Sequence, residues 1–231
     1  VAPIGGGGLI SGNALAAKSL QPSIDVVGVQ TERFPSMRAA LEGSRSECGT
    51  STIAEGIAVK EPGRLTVPIV KEHVDEILLV DEETIERAVL LLLEVEKTVA
   101  EGAGAAALAA ILAHPERFRG RRTGLILSGG NIDLLVLSSI IQRGLVQSGR
   151  LARIHVEVRD VPSALAEVAR LIGESDANIV QLNHMRTFTT LPLASAEVEF
   201  VLKTRGLDHA REVVETLERA GYRVRPAEGA D

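Results

Sequence analysis

The chain has 231 residues, 45% of them hydrophobic and 24% charged, with a formal net charge of −6, an ordinary mixture for one or two folded domains. The acidic balance argues against nucleic acid, whose binders carry basic patches. No apolar run approaches the ~20 residues that a membrane-spanning helix needs. A single cysteine, Cys48, excludes an intrachain disulfide framework and fits a reducing, cytoplasmic setting. Aromatics are only 2%, so the core is expected to be built from Leu, Val, Ile and Ala.

Val1-Ala2-Pro3-Ile4 reads as the end of a strand, entered in mid-motif and without an initiator Met, so the chain is expected to be the C-terminal portion of a longer protein. Gly5-Gly6-Gly7-Gly8 follows, directly before an expected helix at 9–20. Glycine lacks the Cβ that keeps a ligand from the backbone. A helix start offers unpaired N–H groups and a positive dipole end, which together suit an anion, usually a phosphate. The alternative is a flexible turn. Two better-known phosphate loops do not fit. The dinucleotide fingerprint needs a third glycine where Ile10 or Ser11 stands, and the P-loop needs a lysine where Asn13 follows Gly12.

Residues 24–30 read as a buried strand, completing a βαβ unit of a parallel sheet. Glu32 follows at the strand's C-terminal end, where open α/β sheets place their ligands. A helix is expected at 35–41 and a polar loop at 43–51. Residues 52–59 read either as a short buried helix or as a loop lining a site. A strand at 77–80 leads to Asp81, a candidate cap, with Glu82 and Glu83 favourable in the first turn of a well-buried helix that runs to about 96. Glu101-Gly102-Ala103-Gly104-Ala105-Ala106 has the small residues of a closely packed helix. A buried strand at 123–127 and Ser128-Gly129-Gly130-Asn131 form a second strand–glycine loop unit. Asp133 is placed to cap the helix that follows, to about 143.

Residues 144–150 read as a linker. Beyond it the pattern is strand 154–158, helix 163–174, strands 178–185 and 195–202, helix 207–220 and strand 222–224. This βαββαβ order is the ferredoxin-like arrangement, an antiparallel sheet with two helices on one face. The division is therefore 1–146 and 147–231. The histidines at 73, 114, 155, 184 and 209 show no metal-ligand spacing with one another or with Cys48. No Gly-x-Ser-x-Gly nucleophile elbow occurs.

Four stretches in this order, Gly5-Gly6-Gly7-Gly8-Leu9, residues 52–59, residues 101–106 and residues 127–133, resemble the pyridoxal-phosphate-dependent threonine dehydratases of fold type II. The tail from about Ile154 resembles an ACT regulatory domain, and Leu191-Pro192 before residues 196–199, with Thr204-Arg205-Gly206, resembles the tail of bacterial threonine dehydratases. The resemblance implies an α/β fold: an incomplete parallel-sheet fold type II domain followed by a ferredoxin-like ACT domain. It implies that Gly5, Gly6, Gly7, Gly8 and Leu9 hold the phosphate of pyridoxal 5'-phosphate. Ser128 would face the pyridine nitrogen, Gly56 would lie beside the ring, and Glu101 would be either an acidic neighbour of the cofactor or purely structural. A hydroxyl at the pyridine nitrogen makes a weaker electron sink than a carboxylate does, which favours β-elimination.

The implied reaction converts L-threonine to 2-oxobutanoate and ammonia, with L-serine a second substrate. The family's Schiff-base lysine has no counterpart among Lys18, Lys60, Lys71, Lys97 and Lys203, so the chain alone is expected to be inactive. Glu55 stands where the family usually has Asp. Glu32 is a weak metal candidate, because Arg38 stands near the second acidic place. Ser163 replaces a glycine common in ACT effector loops, where isoleucine or valine would be the effector. Association into a homo-oligomer is expected. The rival readings are a non-catalytic amino-acid sensor and a serine dehydratase or racemase relative.

Overall fold

A computed structural model of the chain describes residues 1–185, 192 and 194–226. Two compact units are present, Val1–Ile140 and Ile141–Asp231. Leu191, one of the residues carrying the resemblance to the bacterial threonine dehydratase tail, lies outside the described residues.

In the first unit β1 (Ala2–Pro3), β2 (Val27–Thr31) and β3 (Glu76–Val80) form a parallel sheet in the order β1-β2-β3. The central strand, Val-Gly-Val-Gln-Thr, is buried along its whole length, as a parallel strand covered on both faces must be. On one face Val27, Val29, Leu78 and Val80 pack with α4 (Glu82–Glu94) and α5 (Gly102–Ala113). On the other, Ala2, Ile4 and Val26 meet α1 (Gly8–Leu20), α2 (Ser36–Glu42) and α3 (Thr66–His73) through Ile10, Ala14, Met37 and Val70. Asp81 caps α4 by accepting the Thr84 N–H at 2.7 Å. Hydrogen bonding from the Thr84 side chain, and after it from this N–H, holds the Asp81 carboxyl below the usual range.

Several boundaries differ from the sequence reading, each for a local reason. β2 begins at Val27 rather than 24 because the Val26 N–H is taken by the Asp75 carboxylate at 2.7 Å. Residues 52–59 contain a 3-10 turn at Glu55–Ile57. Helix α3, which carries Pro68 in its first turn, and the short α6 (Pro115–Phe118) were not anticipated. Residues 123–127 are not a buried strand. They run extended beside Val1, with Ile126 N–H donating to the Val1 carbonyl at 3.0 Å and the Val1 amine donating to Gly124 at 2.8 Å. With this single neighbour among the described residues they stay largely exposed. Asp133 does cap α7 (Leu134–Gln147), accepting the Leu135 and Val136 N–H groups at 2.8 and 3.1 Å. The residues at 144–147, read as linker, are the last turn of α7. After α7 the chain turns at Gly149, with φ of 65°.

The second unit runs β4 (Leu151–Arg159), α8 (Ala164–Glu174), β5 (Asn178–Met185), β6 (Ser195–Lys203), α9 (Leu207–Arg219) and β7 (Arg223–Pro226). The strands lie in the order β5-β6-β4-β7, and each adjoining pair is antiparallel. Alternate residues Ile154, Val156 and Val158 of β4 and Ala196, Val198, Phe200 and Leu202 of β6 form one core with Val168 and Ile172 of α8 and Val213 and Leu217 of α9. The other sheet face carries His155, with ring nitrogens 3.8 and 3.7 Å from Glu197 and Glu199. Among the described residues no helix is long and apolar enough to cross a membrane.

Candidate functional site

The glycine loop leaves β1 and enters α1 at the C-terminal edge of the parallel sheet. Its shape is fixed from outside. The Gly6 carbonyl accepts hydrogen bonds from the Gly63 N–H at 3.0 Å and the Thr66 hydroxyl at 2.6 Å. In a trans peptide the next N–H, that of Gly7, points the opposite way. Gly7 sits at φ 92°, and a Cβ there would meet Met37 Cε at 2.5 Å and Thr66 Oγ1 at 2.7 Å, so only glycine fits. Gly6 and Gly8 differ: nothing lies within 4 Å of the place a Cβ would take. The first helical bond runs from the Ser11 N–H to the Gly7 carbonyl at 3.0 Å, which leaves the Gly8, Leu9 and Ile10 N–H groups ahead of the helix ladder. Gly8 and Leu9 are exposed. The loop is therefore an open, glycine-lined cradle, and it fits a phosphate group.

Three further segments converge on it. A Cβ on Gly5 would lie 3.2 Å from the Gly56 carbonyl and from Ile57 Cα. One on Gly56 would lie 3.0 Å from Ala103 Cβ and 3.5 Å from Glu101 Oε1. One on Gly129 would collide with the Glu101 carboxylate. The Glu101 N–H also donates to the Gly129 carbonyl at 3.1 Å. The hydrogen bonds of 124–126 to Val1 have the parallel pattern, so the 128–131 loop leaves the sheet at the edge where the first loop does. Gly5, Gly56, Glu101 and Gly129 thus form one cluster. Ser128, directly before Gly129, is exposed.

Glu101 is the N-cap residue of α5, yet its side chain makes no capping bond. Its half-buried carboxylate stands between the loops that carry Gly56 and Gly129. Glu32 is exposed at the end of β2, and its N–H donates to the Val80 carbonyl at 2.9 Å. Among the described residues no group of three His, Cys, Asp or Glu side chains could hold a metal ion together. Arg38, near the second acidic place, pairs with Glu42 at 3.1 Å.

Sequence reasoning missed the residues that hold the loops. Thr66 and Gly63 fix the first loop, and Glu82 with Arg33 fixes the segment before Gly56. No spacing signal links Glu82 to Thr52, because the contact spans 30 positions and forms only in the fold.

A parallel sheet whose glycine loops meet at its C-terminal edge defines a class: α/β domains that hold phosphorylated ligands there. The family described as pyridoxal-phosphate dependent enzyme matches residues 1–129, and the chain belongs to that family. An L-threonine ammonia-lyase from Thermotoga maritima is 45% identical over 227 residues, covering 97% of this chain and 56% of the relative. The crystal structure of a threonine deaminase from T.th. is similar with a TM-score of 0.54 and 43% identity, covering 58% of this chain and 49% of that one. A serine racemase from Dictyostelium discoideum is similar with a TM-score of 0.52 and 39% identity, over 58% of this chain and 43% of that one. The chain spans about half the length of the relatives it matches, 56% in the first case.

Proposed function

We propose that this chain is the cofactor-cradling and regulatory portion of an ammonia-lyase that converts L-threonine to 2-oxobutanoate and ammonia, with L-serine a second substrate. The observation that carries the reading is the meeting of Gly5, Gly56, Glu101 and Gly129 beside an open helix start. The names of the relatives favour threonine. In this reading the amides of the loop Gly5, Gly6, Gly7, Gly8 and Leu9 grip the phosphate of pyridoxal phosphate. When bound, the cofactor supplies an electron sink for the bond broken at the substrate Cα. Ser128 offers its hydroxyl to the pyridine nitrogen, Gly56 lies beside the ring, and Glu101 keeps a carboxylate at the cluster. Loss of a β-hydroxyl is the step such a site favours, and threonine and serine both have one.

The lysine that would carry the cofactor and move the Cα proton is not in this chain, so the 231 residues alone are predicted to be inactive. The second unit, with its βαββαβ order, is the ACT-like regulatory module in this reading, and it takes an amino-acid effector. Ser163 retains a left-handed φ of 69° at the β4–α8 loop, the backbone shape that a glycine would take there. The intact protein is a cytoplasmic homo-oligomer in this proposal.

The test is a chimera. The part of the Thermotoga maritima relative that this chain does not match is joined ahead of Val1, and the product is loaded with pyridoxal phosphate. The chimera should release 2-oxobutanoate from L-threonine and, more slowly, pyruvate from L-serine, while the 231-residue chain releases neither. A folded, loaded chimera with no release of either product would overturn the reading.

A further inference from the structure

We infer that Glu82 is a positioning residue for the cofactor cluster, acting through the segment that carries Gly56 rather than by touching the ligand. The inference rests on the cofactor reading of the glycine loops. Glu82 is the first residue of α4, at the C-terminal end of β3, and its side chain is 21% exposed. Both carboxylate oxygens are used: Oε1 accepts from the Thr52 hydroxyl at 2.5 Å, and Oε2 accepts from the Ile53 N–H at 2.8 Å. Thr52 Oγ1 in turn accepts the Ala54 N–H at 3.1 Å. Arg33, just beyond the end of β2, donates to the Ser51 carbonyl at 3.1 Å, and its Nε lies 4.0 Å from Glu82. Two neighbouring strands, β2 and β3, are thus followed by side chains that grip residues 51–54, which have no ladder of their own.

The grip is transmitted directly. The Ile57 N–H donates to the Ala54 carbonyl at 3.0 Å, closing the turn that holds Gly56 against Gly5 and Glu101. On the other side, α5 begins so close to Ile53 that a Cβ on Gly102 would collide with its carbonyl. The turn is therefore clamped between Glu82 and α5. Hydrogen bonds to a carboxylate are stronger than neutral ones, so losing both frees the turn while the phosphate cradle, held by Gly63 and Thr66, keeps its shape.

The test compares the wild-type chain with Glu82→Ala and Glu82→Gln. It uses hydrogen exchange, and equilibrium dialysis against pyridoxal phosphate and against inorganic phosphate. In Glu82→Ala, amides at 52–57 should exchange about 10-fold faster and pyridoxal phosphate should bind about 10-fold more weakly, while inorganic phosphate changes less than about 2-fold. Glu82→Gln keeps one acceptor oxygen and should fall between. Unchanged exchange at 52–57, faster exchange throughout the unit, or equal weakening of the two ligands would overturn the inference by making Glu82 an ordinary structural residue. A wild-type chain that bound neither ligand would sink the cofactor reading itself, and would do so before any variant was made.

Discussion

The first unit covers its sheet on both faces and leaves the chemistry to loops at the strand ends; the second covers one face and is built on long antiparallel strands. This difference sets what each tolerates. In the first, glycines and half-buried side-chain grips hold irregular backbone close together, as at Gly7, Gly129 and Glu82. In the second, alternation alone does the sorting, with Val156, Val198 and Phe200 inward and His155, Glu197 and Glu199 on the opposite face. One unit should therefore be brittle at its loops and the other at its core.

The largest expected effect lies in the second unit. Phe200 is fully buried, and Phe200→Ala should cost about 3–5 kcal/mol in denaturant unfolding of that unit. A loss under about 1 kcal/mol would mean that its core is loosely packed. Next comes the glycine loop. Gly7→Ala forces a left-handed φ on alanine and drives its Cβ into Met37 and Thr66, so unfolding of the first unit should become easier by about 2–4 kcal/mol. An unchanged midpoint would deny that the loop is fixed as described.

A smaller effect of opposite sign is expected at Ser163. Its φ of 69° is one that L-residues avoid, and Ser163→Gly should stabilise the second unit by about 0.5–1 kcal/mol. Reduced stability would mean that the hydroxyl makes a contact worth more than the strain.

The smallest effect depends on pH. Burial by itself would raise the Asp75 carboxyl, but the Lys18 ammonium at 2.7 Å and the Val26 N–H outweigh it and hold it below its usual value of 3.8. A carboxylate lowered in the fold stabilises above its unfolded pKa, and the benefit disappears as pH falls through the folded one. The side chain is 39% exposed, so Asp75→Asn should cost under about 1 kcal/mol at neutral pH. The gap from wild type should close in acid below the usual carboxylate range. A gap that stayed constant with pH would rule out the ion pair as its source.

The same contrast governs how much could be read from the chain. β5 falls at the residues expected, and α8, β6 and α9 fall within one residue, because alternation and amphipathic spacing are local signals. In the first unit the glycine loop and the helix start behind it were legible, since four glycines before an apolar-periodic run are a local signal. The grips were not. Glu82 reads as a first-turn charge on α4, and its bonds to Thr52 and Ile53 exist only once distant strand ends meet. Residues 123–127 have the composition of a buried strand, but hydrophobicity does not say how many neighbours a strand will find. Helix α3 hides behind Pro68, which reads as a break although it sits within the first turn. The 144–147 segment looks like a linker because of Gly144, yet α7 runs through it.

The most direct measurement is backbone-amide NMR of the chain titrated with pyridoxal phosphate and, separately, with inorganic phosphate. The account predicts that both ligands shift the amides of Gly6, Gly7, Gly8 and Leu9, and that pyridoxal phosphate alone also shifts Gly56 and Gly129. Shifts confined to another anion-attracting surface, such as the arginines at 117–122, with the glycine loop silent, would contradict it.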